Sequence, residues 1–294
     1  MKSSDFSPVA GLMRGVGDAL LEWRDDPEQR RILAPAEYKT VADRKAHDLI
    51  VAGLQDLFPG VPVLSEEAAW DDERPETYWL IDPIDGTASW YEGFVGFATQ
   101  AAFIHRGTPV YGIVHAPAMG KTWEGVRAED LSCAWLNGVI LKQLVLSNRL
   151  LLCDNYPEPR RAAGILNRRL PCTGYLESGS LGIKCCLVAD GTADLFVKDV
   201  VVRDWDIAPV APIMATVGGV LCLPNGMEFS FEGPMEKPLG ILAARDKDLA
   251  SLAIDALALV ALVALGGVAP CREIGPRARC RWCWWVGARR FRLQ

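Results

Sequence analysis

The sequence has few histidines and no pattern around them that supports a covalent nucleophile. His47, His105 and His115 lie far apart, and no serine or cysteine has a recognisable partner pattern with any of them. Serine and cysteine hydrolases need a base within hydrogen-bond reach of the nucleophile. We therefore expect each histidine to be a surface or structural residue, and the sequence gives no support for a serine or cysteine hydrolase.

The chain also lacks a basic field, an apolar leader and a clear membrane span. Its net charge of −6 argues against binding of a nucleic-acid polymer. Residues 1–30 carry several acids and no long apolar core, so we expect no signal peptide and a cytoplasmic protein. The apolar run 256–269 is short and follows Asp255, which favours a terminal core helix over a membrane span.

Cysteine is present, but not in a pattern that indicates disulfides or a metal finger. The nine cysteines mostly occupy apolar contexts, as Cys185-Cys186 and Cys222 do, which favours buried free thiols in a reducing compartment. Cys280 and Cys283 have C-x-x-C spacing, but no second pair or histidine follows them. We therefore expect no zinc site there.

Helical and strand patterns alternate along the chain without a strict βαβ rhythm, which predicts an α+β fold with layered architecture. The predicted helices are 6–33, 41–57, 180–190 and 206–217, with a further helix between two strands in 143–175. The predicted strands include 61–64, 78–81, 96–104, 109–116, 150–153 and 193–197. The strands at 96–104 and 109–116 are expected to be antiparallel neighbours.

The segment Trp79–Thr87, with the sequence WLIDPIDGT, is the most informative stretch of the chain. An apolar strand ends in Asp82 and Asp85, and the carbonyl of Ile84 lies between them. Carboxylate and carbonyl oxygens are the ligands that Mg²⁺ prefers. Gly86 would let a ligand approach the backbone closely. Each aspartate taken alone also fits a turn residue or a helix cap.

Three further acidic positions have both a structural and a functional interpretation. Glu66 and Glu67 follow a predicted strand, which fits either a solvated loop or a further metal ligand. Asp206 opens an apolar helix, where a carboxylate is favoured by the helix dipole in any case. Asp43 also begins a helical pattern and could be no more than a helix start.

Taken together, these segments resemble the inositol monophosphatase superfamily of Mg²⁺-dependent, Li⁺-sensitive phosphatases. The resemblance extends over about 36–245 and rests on the acidic pair, the WLIDPIDGT segment, Gly179-Ser180-Leu181 before a helix, and Trp205–Pro209 before Gly218-Gly219. It implies a layered αβαβα sandwich of the inositol monophosphatase and fructose-1,6-bisphosphatase type, usually a homodimer. It also implies two or three Mg²⁺ ions per site.

The resemblance assigns a role to each candidate residue. The implied metal ligands are Glu66, Asp82, the Ile84 carbonyl, Asp85 and Asp206. The implied substrate-binding residues are Asp85, Gly86, Thr87, Ser180, Asp199 and Asp206, with Gly86 and Thr87 holding the phosphate and Asp199 a hydroxyl. The implied catalytic residues are Asp43, Glu66 and Thr87, of which Asp43 and Thr87 orient the attacking water and help to deprotonate it.

The implied reaction is Mg²⁺-dependent hydrolysis of a small phosphorylated metabolite, with inositol 1-phosphate or a similar sugar-like monophosphate as first choice. The alternative is a 3′(2′),5′-bisphosphate nucleotidase, a branch that Gly182-Ile183-Lys184 and Arg203-Asp204 resemble faintly. Histidinol phosphate comes third, and fructose-1,6-bisphosphate last, because no arginine cluster for a second phosphate is visible. The non-enzyme alternative is a catalytically inactive binding protein with the same fold.

The expected phosphatase domain spans 1–250, with a metal-binding half at about 1–145 and a second half at about 146–250. Residues 251–294 form an atypical tail: the apolar run is followed by a segment rich in arginine, tryptophan and cysteine. Contact with a membrane or nucleic acid would explain such a composition. The favoured explanation is an unselected end, for example from an altered reading frame.

Overall fold

The computed structural model describes residues 2–34, 38–68, 73–142 and 150–264 of the chain. The arginine- and tryptophan-rich part of the predicted tail lies outside the described residues, and so do Cys271, Cys280 and Cys283. The remaining cysteines, Cys133, Cys153, Cys172, Cys185, Cys186 and Cys222, are free thiols. The proposed division into domains stays a prediction.

Eight α-helices and sixteen strands are present in the described ranges. The helices are α1 (Val9–Trp23), α2 (Val41–Leu57), α3 (Thr87–Glu92), α4 (Arg161–Arg169), α5 (Leu181–Ala189), α6 (Asp204–Ile207), α7 (Ala211–Thr216) and α8 (Lys247–Ala264). The strands are β1 (Ile32–Ala34), β2 (Lys39–Thr40), β3 (Val63–Ser65), β4 (Thr77–Asp85), β5 (Ala98–His105), β6 (Thr108–Ala116), β7 (Lys121–Arg127), β8 (Ser132–Leu136), β9 (Val139–Ile140), β10 (Leu151–Asp154), β11 (Gly174–Glu177), β12 (Leu195–Lys198), β13 (Val202–Arg203), β14 (Val220–Cys222), β15 (Glu236–Lys237) and β16 (Ile241–Ala244).

Two mixed sheets make up most of the strand structure. The larger has the order β3-β4-β5-β6-β7-β8-β9, in which β3 and β4 are parallel and the other neighbours antiparallel. The smaller has the order β11-β10-β12-β16-β14, in which β10 runs parallel to β11 and β12. The strands β1 with β2, and β13 with β15, form two short additional pairs.

Three apolar clusters show that helices and sheets alternate in five layers. One cluster joins α1 and α2 to the outer face of the larger sheet. The second joins the inner face of that sheet to α5, α7 and the smaller sheet. The third joins the far face of the smaller sheet to α4 and the first turns of α8. Neighbouring residues of β12 show this alternation, because Leu195 and Val197 lie in the third cluster and Phe196 in the second.

The strand β4 is buried on both faces, which explains its continuous apolar run. Trp79 and Ile81 pack in the cluster with α1 and α2, whereas Tyr78 and Leu80 pack against Trp205 of α6. A strand covered on both sides has no solvent face to reserve for polar residues. Its two aspartates are therefore carried to a buried position at the end of the strand.

A β-bulge at the end of β4 brings these two aspartates into phase. Asp82 pairs with Gln100 of β5 and Asp85 with Ala98, so β4 has one more residue than β5 over this interval. In a regular strand, residues three apart point to opposite faces. The extra residue reverses that alternation, and Pro83 within the bulge has no N–H to contribute to the ladder.

Two predicted helices differ from the structure. The helix predicted over 6–33 extends only over Val9–Trp23, with a 3₁₀ turn at Ser3–Phe6 before it and strand β1 at the end of the predicted range. The helix predicted over 206–217 is divided into α6 and α7. Pro209 and Pro212 lack backbone N–H donors, which explains why a continuous helix cannot form there.

No helix in the described ranges is both long enough and apolar enough to cross a membrane.

The helix α2 has the predicted bounds. Thr40 and Asp43 explain its sharp start, because the Asp43 carboxylate accepts hydrogen bonds from the Thr40 N–H at 2.8 Å and its hydroxyl at 2.6 Å.

Glycines in the larger sheet allow the segment around α6 and α7 to approach closely. A Cβ atom on Gly112 of β6 would lie 2.0 Å from the Pro209 carbonyl oxygen. A Cβ on Gly125 of β7 would lie 2.6 Å from the Ile213 nitrogen. Both neighbours are backbone atoms, so the contact cannot be relieved by a side-chain rotation.

We predict that Gly112→Ala separates this segment from the sheet and lowers the free energy of unfolding by about 1–3 kcal/mol. Chemical denaturation followed by circular dichroism measures the change. Gly15→Ala is the matched control, because Gly15 lies on the exposed face of α1 with nothing within 4 Å of the added Cβ. Equal stability of Gly112→Ala and wild type would contradict this packing argument.

Candidate metal centre

Three carboxylates that are distant in sequence meet at the end of β4. Asp82 and Asp85 come from the bulged end of the strand, and Asp206 from the first turn of α6. One oxygen of each lies within 4.8 Å of the others. The Asp82 and Asp85 side chains are buried, and that of Asp206 is half-buried.

Burial and mutual repulsion make this cluster unfavourable as three bare anions. Burial raises the pKa of Asp82 well above its usual value, and the negative charges of Glu66, Asp85 and Asp206 raise it further. Burial, followed by the Asp85 charge, raises the pKa of Asp206 in the same way. A hard divalent cation would offset this charge, and carboxylate oxygens are the ligands it prefers. The donor set therefore fits Mg²⁺.

Glu66 lies beside the cluster, and the negative charge of its carboxylate raises the pKa of Asp82. It follows β3, which runs parallel to β4, so the two strands end at the same edge of the sheet. Burial raises the pKa of Glu66, and the ammonium of Lys39 opposes this shift. Lys39 Nζ lies 3.0 Å from the Glu66 carbonyl oxygen and 3.2 Å from Glu67 Oε1.

The amino-terminal end of α5 holds the Asp85 carboxylate in one orientation. Its Oδ2 atom accepts hydrogen bonds from the Ser180 hydroxyl at 2.5 Å and the Gly182 N–H at 2.7 Å. Its Oδ1 atom accepts a hydrogen bond from the Leu181 N–H at 3.1 Å. These three donors fix the position of the carboxylate relative to the end of β4.

Asp43 and Thr87 form a second polar pair next to the cluster. The Thr87 hydroxyl lies 3.0 Å from Asp43 Oδ1 and 2.9 Å from the Ile84 carbonyl oxygen. Burial raises the pKa of Asp43 to about 6, although its hydrogen bonds with Thr40 oppose the shift. Asp43 can therefore change its protonation state just below neutral pH.

The turn that joins β4 to α3 depends on Gly86. Its backbone has a φ of 87°, which L residues with a side chain rarely adopt. A Cβ here would also lie 3.0 Å from the Gly96 carbonyl oxygen and 3.3 Å from the Ser180 nitrogen. Glycine at this position therefore lets the strand end, the turn and the loop before α5 meet.

Contacts at the start of the short helix α6 hold Asp206 in place. Its Oδ2 atom accepts a hydrogen bond from the Arg203 N–H at 2.7 Å. The neighbouring Asp204 is buried and forms ion pairs with Arg74 at 2.6 Å and Lys237 at 3.5 Å. These contacts fix the turn that carries Asp206.

Two of the predicted substrate residues have other contacts in the structure. Ser180 is fully buried, and its hydroxyl is used by Asp85. Asp199 is exposed at the end of β12, where its carboxylate accepts a hydrogen bond from the Ala162 N–H of α4 at 3.3 Å. Their contact with a substrate stays a prediction, as do the roles assigned to the other candidate residues.

Sequence reasoning missed several polar residues that support the site. Gln100 is buried in β5 and donates a hydrogen bond to the Trp205 carbonyl oxygen at 3.1 Å, which ties the sheet to α6. His47 of α2 lies 2.8 Å from the hydroxyl of Ser65, the residue before Glu66. A single glutamine in the apolar strand ATQAAFIH was the available signal for Gln100. Lys184 of α5 is the third such residue. The sequence marked it only through the faint resemblance of Gly182-Ile183-Lys184 to the nucleotidase branch.

The chain is similar to known proteins of one family. The sequence profile of the inositol monophosphatase family matches residues 11–260. The 3′(2′),5′-bisphosphate nucleotidase CysQ of Shigella flexneri is 30% identical over 217 residues, which cover 71% of this chain and 87% of the relative. The fructose-1,6-bisphosphatase/inositol-1-monophosphatase of Thermotoga maritima is 28% identical over 241 residues, which cover 78% and 87%.

A solved structure shows the same fold at lower identity. It is a hypothetical protein of Pyrococcus horikoshii with similarities to inositol-1 monophosphatase. The match has a TM-score of 0.73 at 20% identity and covers 87% of this chain and 99% of that one. The predicted α+β fold is confirmed. The chain therefore belongs to the inositol monophosphatase family.

Proposed function

We propose that this protein hydrolyses a small phosphate monoester with a water molecule activated by Mg²⁺. The enzyme is a phosphoric monoester hydrolase, the class of its family. The observation that carries the mechanism is the meeting of Asp82, Asp85 and Asp206 within 4.8 Å at a buried strand end.

The proposed ligands are Glu66, Asp82, the Ile84 carbonyl, Asp85 and Asp206. A divalent cation bound there would neutralise the phosphate charge, acidify a water molecule and stabilise the leaving oxygen. The protein holds the cluster in place through the amides of α5 and the Arg203 N–H. Preorganised donors of this kind need no rearrangement when the substrate arrives.

Asp43 and Thr87 are proposed to orient the water and take up its proton. The Thr87 hydroxyl donates to Asp43, so its oxygen can accept a hydrogen bond from a water molecule. An ionised Asp43 can then receive the proton that Thr87 passes on. This pair supplies general-base catalysis without a histidine.

Inositol 1-phosphate or a similar sugar-like monophosphate remains a candidate substrate, and similarity to the relatives supports a 3′(2′),5′-bisphosphate nucleotide equally well. A cluster of basic and aromatic side chains favours the nucleotide. Lys198 Nζ lies 5.7 Å from the Tyr156 ring centre, and the Arg160 guanidinium lies 4.4 Å from it. Two cations beside an aromatic ring suit a second phosphate and a base.

This basic and aromatic cluster is linked to the proposed metal centre. Lys198 lies 3.4 Å from Asn155 Oδ1, and Asn155 donates a hydrogen bond to the Gly179 carbonyl oxygen at 2.9 Å. Gly179 precedes Ser180, the partner of Asp85. Asn155 and Lys198 lie at the carboxyl ends of β10 and β12, where parallel sheets commonly bind ligands.

The finer properties of the enzyme are proposed on the resemblance to its family. They comprise two or three Mg²⁺ ions per site, inhibition by Li⁺, a homodimer and a cytoplasmic location. Histidinol phosphate is a third candidate substrate, and a catalytically inactive binding protein is the non-enzyme alternative.

The deciding assay measures phosphate release from inositol 1-phosphate, 3′-phosphoadenosine 5′-phosphate and histidinol phosphate, with and without Mg²⁺ and with Li⁺ as a control. Absence of release from every substrate would favour the binding protein.

We predict that Asp82→Asn lowers Mg²⁺-dependent phosphate release by at least about a hundredfold, because it removes a proposed ligand from the centre of the cluster. Phosphate release at saturating substrate measures the loss. Asp56→Asn is the control, since Asp56 is exposed on α2 and its replacement should leave the rate unchanged. Full activity of Asp82→Asn would refute catalysis at this centre.

We predict that kcat falls as the pH drops through about 6, because the raised pKa of Asp43 makes its proton-accepting form disappear in that range. A nearby bound cation would lower the inflection, so 6 is its upper expected position. A pH–rate profile of wild type and Asp43→Asn provides the measurement. The variant should be slow at every pH and should lack this inflection, and an unchanged profile would argue against Asp43 as the base.

We predict that Lys198→Met raises KM for 3′-phosphoadenosine 5′-phosphate by about tenfold, since it removes one charged contact to the second phosphate. The KM for inositol 1-phosphate, which has one phosphate, should change by less than about twofold. Lys247→Met, on the exposed start of α8, is the control. An equal change in KM for both substrates would contradict a second phosphate site.

A further inference from the structure

Lys184 is a fully buried lysine that has no role in the proposed reaction. It lies on α5 and has no exposed surface. Its Nζ donates to the carbonyl oxygens of Ser178 at 3.1 Å, Gly179 at 2.8 Å and Ser180 at 2.7 Å. An ammonium group has three protons, and all three are used here.

Packing alone does not explain a charged group at this position. Lysine is almost never fully buried unless it is paired, because removing its charge from water is costly. A methionine or leucine would fill a similar volume without that cost. The groups around Lys184 Nζ carry no full charge: they are three carbonyl groups and the Phe196 ring, whose centre lies 5.2 Å away.

The charge that favours the ammonium most strongly is that of Asp85. Burial lowers the pKa of Lys184 to about 8, and the Asp85 carboxylate is the largest influence that raises it. The amine is therefore protonated at neutral pH. The carbonyl group of Ser180 contacts Lys184, and its hydroxyl contacts Asp85 Oδ2 at 2.5 Å. One residue thus connects the buried cation with the acidic cluster.

We propose that Lys184 is a counter-cation of the acidic centre supplied by the protein itself, which stabilises the gathered carboxylates before a divalent ion binds. It is a positioning residue, since it fixes the 178–180 loop and compensates Asp85 without touching the reacting groups. This inference rests on the proposed metal centre.

The Lys184 ammonium and a bound metal ion compensate the same negative charge. Each therefore reduces the stabilisation that the other can supply. Without the metal, loss of Lys184 leaves the carboxylates with less compensation. With the metal bound, the lost charge matters less, because the ion supplies positive charge itself. The variant should therefore lose more stability without metal, and it should bind the metal more tightly, since the repulsion between the two cations is gone.

The test compares wild type, Lys184→Met, Lys184→Gln and Ile183→Ala, each as the full chain. Ile183 is the matched control, because it is an adjacent, fully buried and uncharged residue of α5. Thermal unfolding is measured in EDTA and in saturating Mn²⁺, and Mn²⁺ affinity is measured by calorimetry without substrate. Lys184→Gln keeps hydrogen-bond donors but lacks the charge, and it decides the question by the same criteria if Lys184→Met does not fold.

For the charge variants, we expect the Tm loss in EDTA to exceed that in Mn²⁺ by roughly 4 °C or more. Mn²⁺ should bind them roughly threefold or more tightly than it binds wild type. Ile183→Ala should lose similar Tm in both conditions, with unchanged Mn²⁺ affinity.

Equal Tm losses of the charge variants in EDTA and Mn²⁺ would overturn the proposal and leave Lys184 a packing residue. Weaker Mn²⁺ binding by these variants would overturn it as well. Failure of wild type to bind Mn²⁺ would instead refute the metal centre itself, and the inference with it. The assay of phosphate release separates that outcome from the others.

Discussion

Repulsion among buried carboxylates is the constraint on which this structure depends. One oxygen of each of Asp82, Asp85 and Asp206 lies within 4.8 Å of the others, and the Glu66 carboxyl group lies beside Asp82. Like charges this close in a poorly solvated site repel by several kcal/mol at an effective dielectric constant of about 20. The fold must hold the carboxylates together by other interactions. A bound cation would neutralise the negative charge that they concentrate.

The restraint comes from backbone groups more than from side chains. Asp85 is bound by amides at the start of α5, Asp206 by the Arg203 N–H and Asp43 by Thr40. Backbone donors are fixed by the secondary structure that carries them, so they do not move when the charge of the site changes. The secondary structure around the centre therefore acts as its rigid frame.

The sequence was sufficient to predict the elements with strong periodicity and the acidic residues that converge. The bounds of α2 agree with the prediction, and β5 and β6 pair as expected, because local hydrophobic pattern and capping determine both. Asp82, Asp85 and Asp206 come together from distant parts of the chain, and Glu66 lies beside Asp82. Their role as ligands stays a prediction.

The features that sequence could not supply depend on contacts between distant segments. Nothing local marks Lys184 as a buried cation, since its partners are carbonyl groups of a loop whose shape depends on Asp85 and Asn155. Gln100 connects β5 to α6, 105 residues apart in the chain. The interruption between α6 and α7 was visible as two prolines, but the apolar pattern across it favoured one helix. The contact of Ser180 with Asp85 and that of Asp199 with Ala162 likewise required coordinates.

The bulge in β4 makes the centre depend on how β4 pairs with β5 as well as on residue type. Its extra residue sets the phase between Asp82 and Asp85. If β4 paired with β5 without this extra residue, the spacing of three would direct one of the two carboxylates into the apolar layer on the opposite face. Every acidic residue would still be present in the sequence, and the profile of the family would still match, yet the constellation would be gone. Removal of one residue from Pro83-Ile84 would instead place the two aspartates two apart, a spacing that keeps both on one face of a regular strand, so the bulge and the three-residue spacing compensate each other.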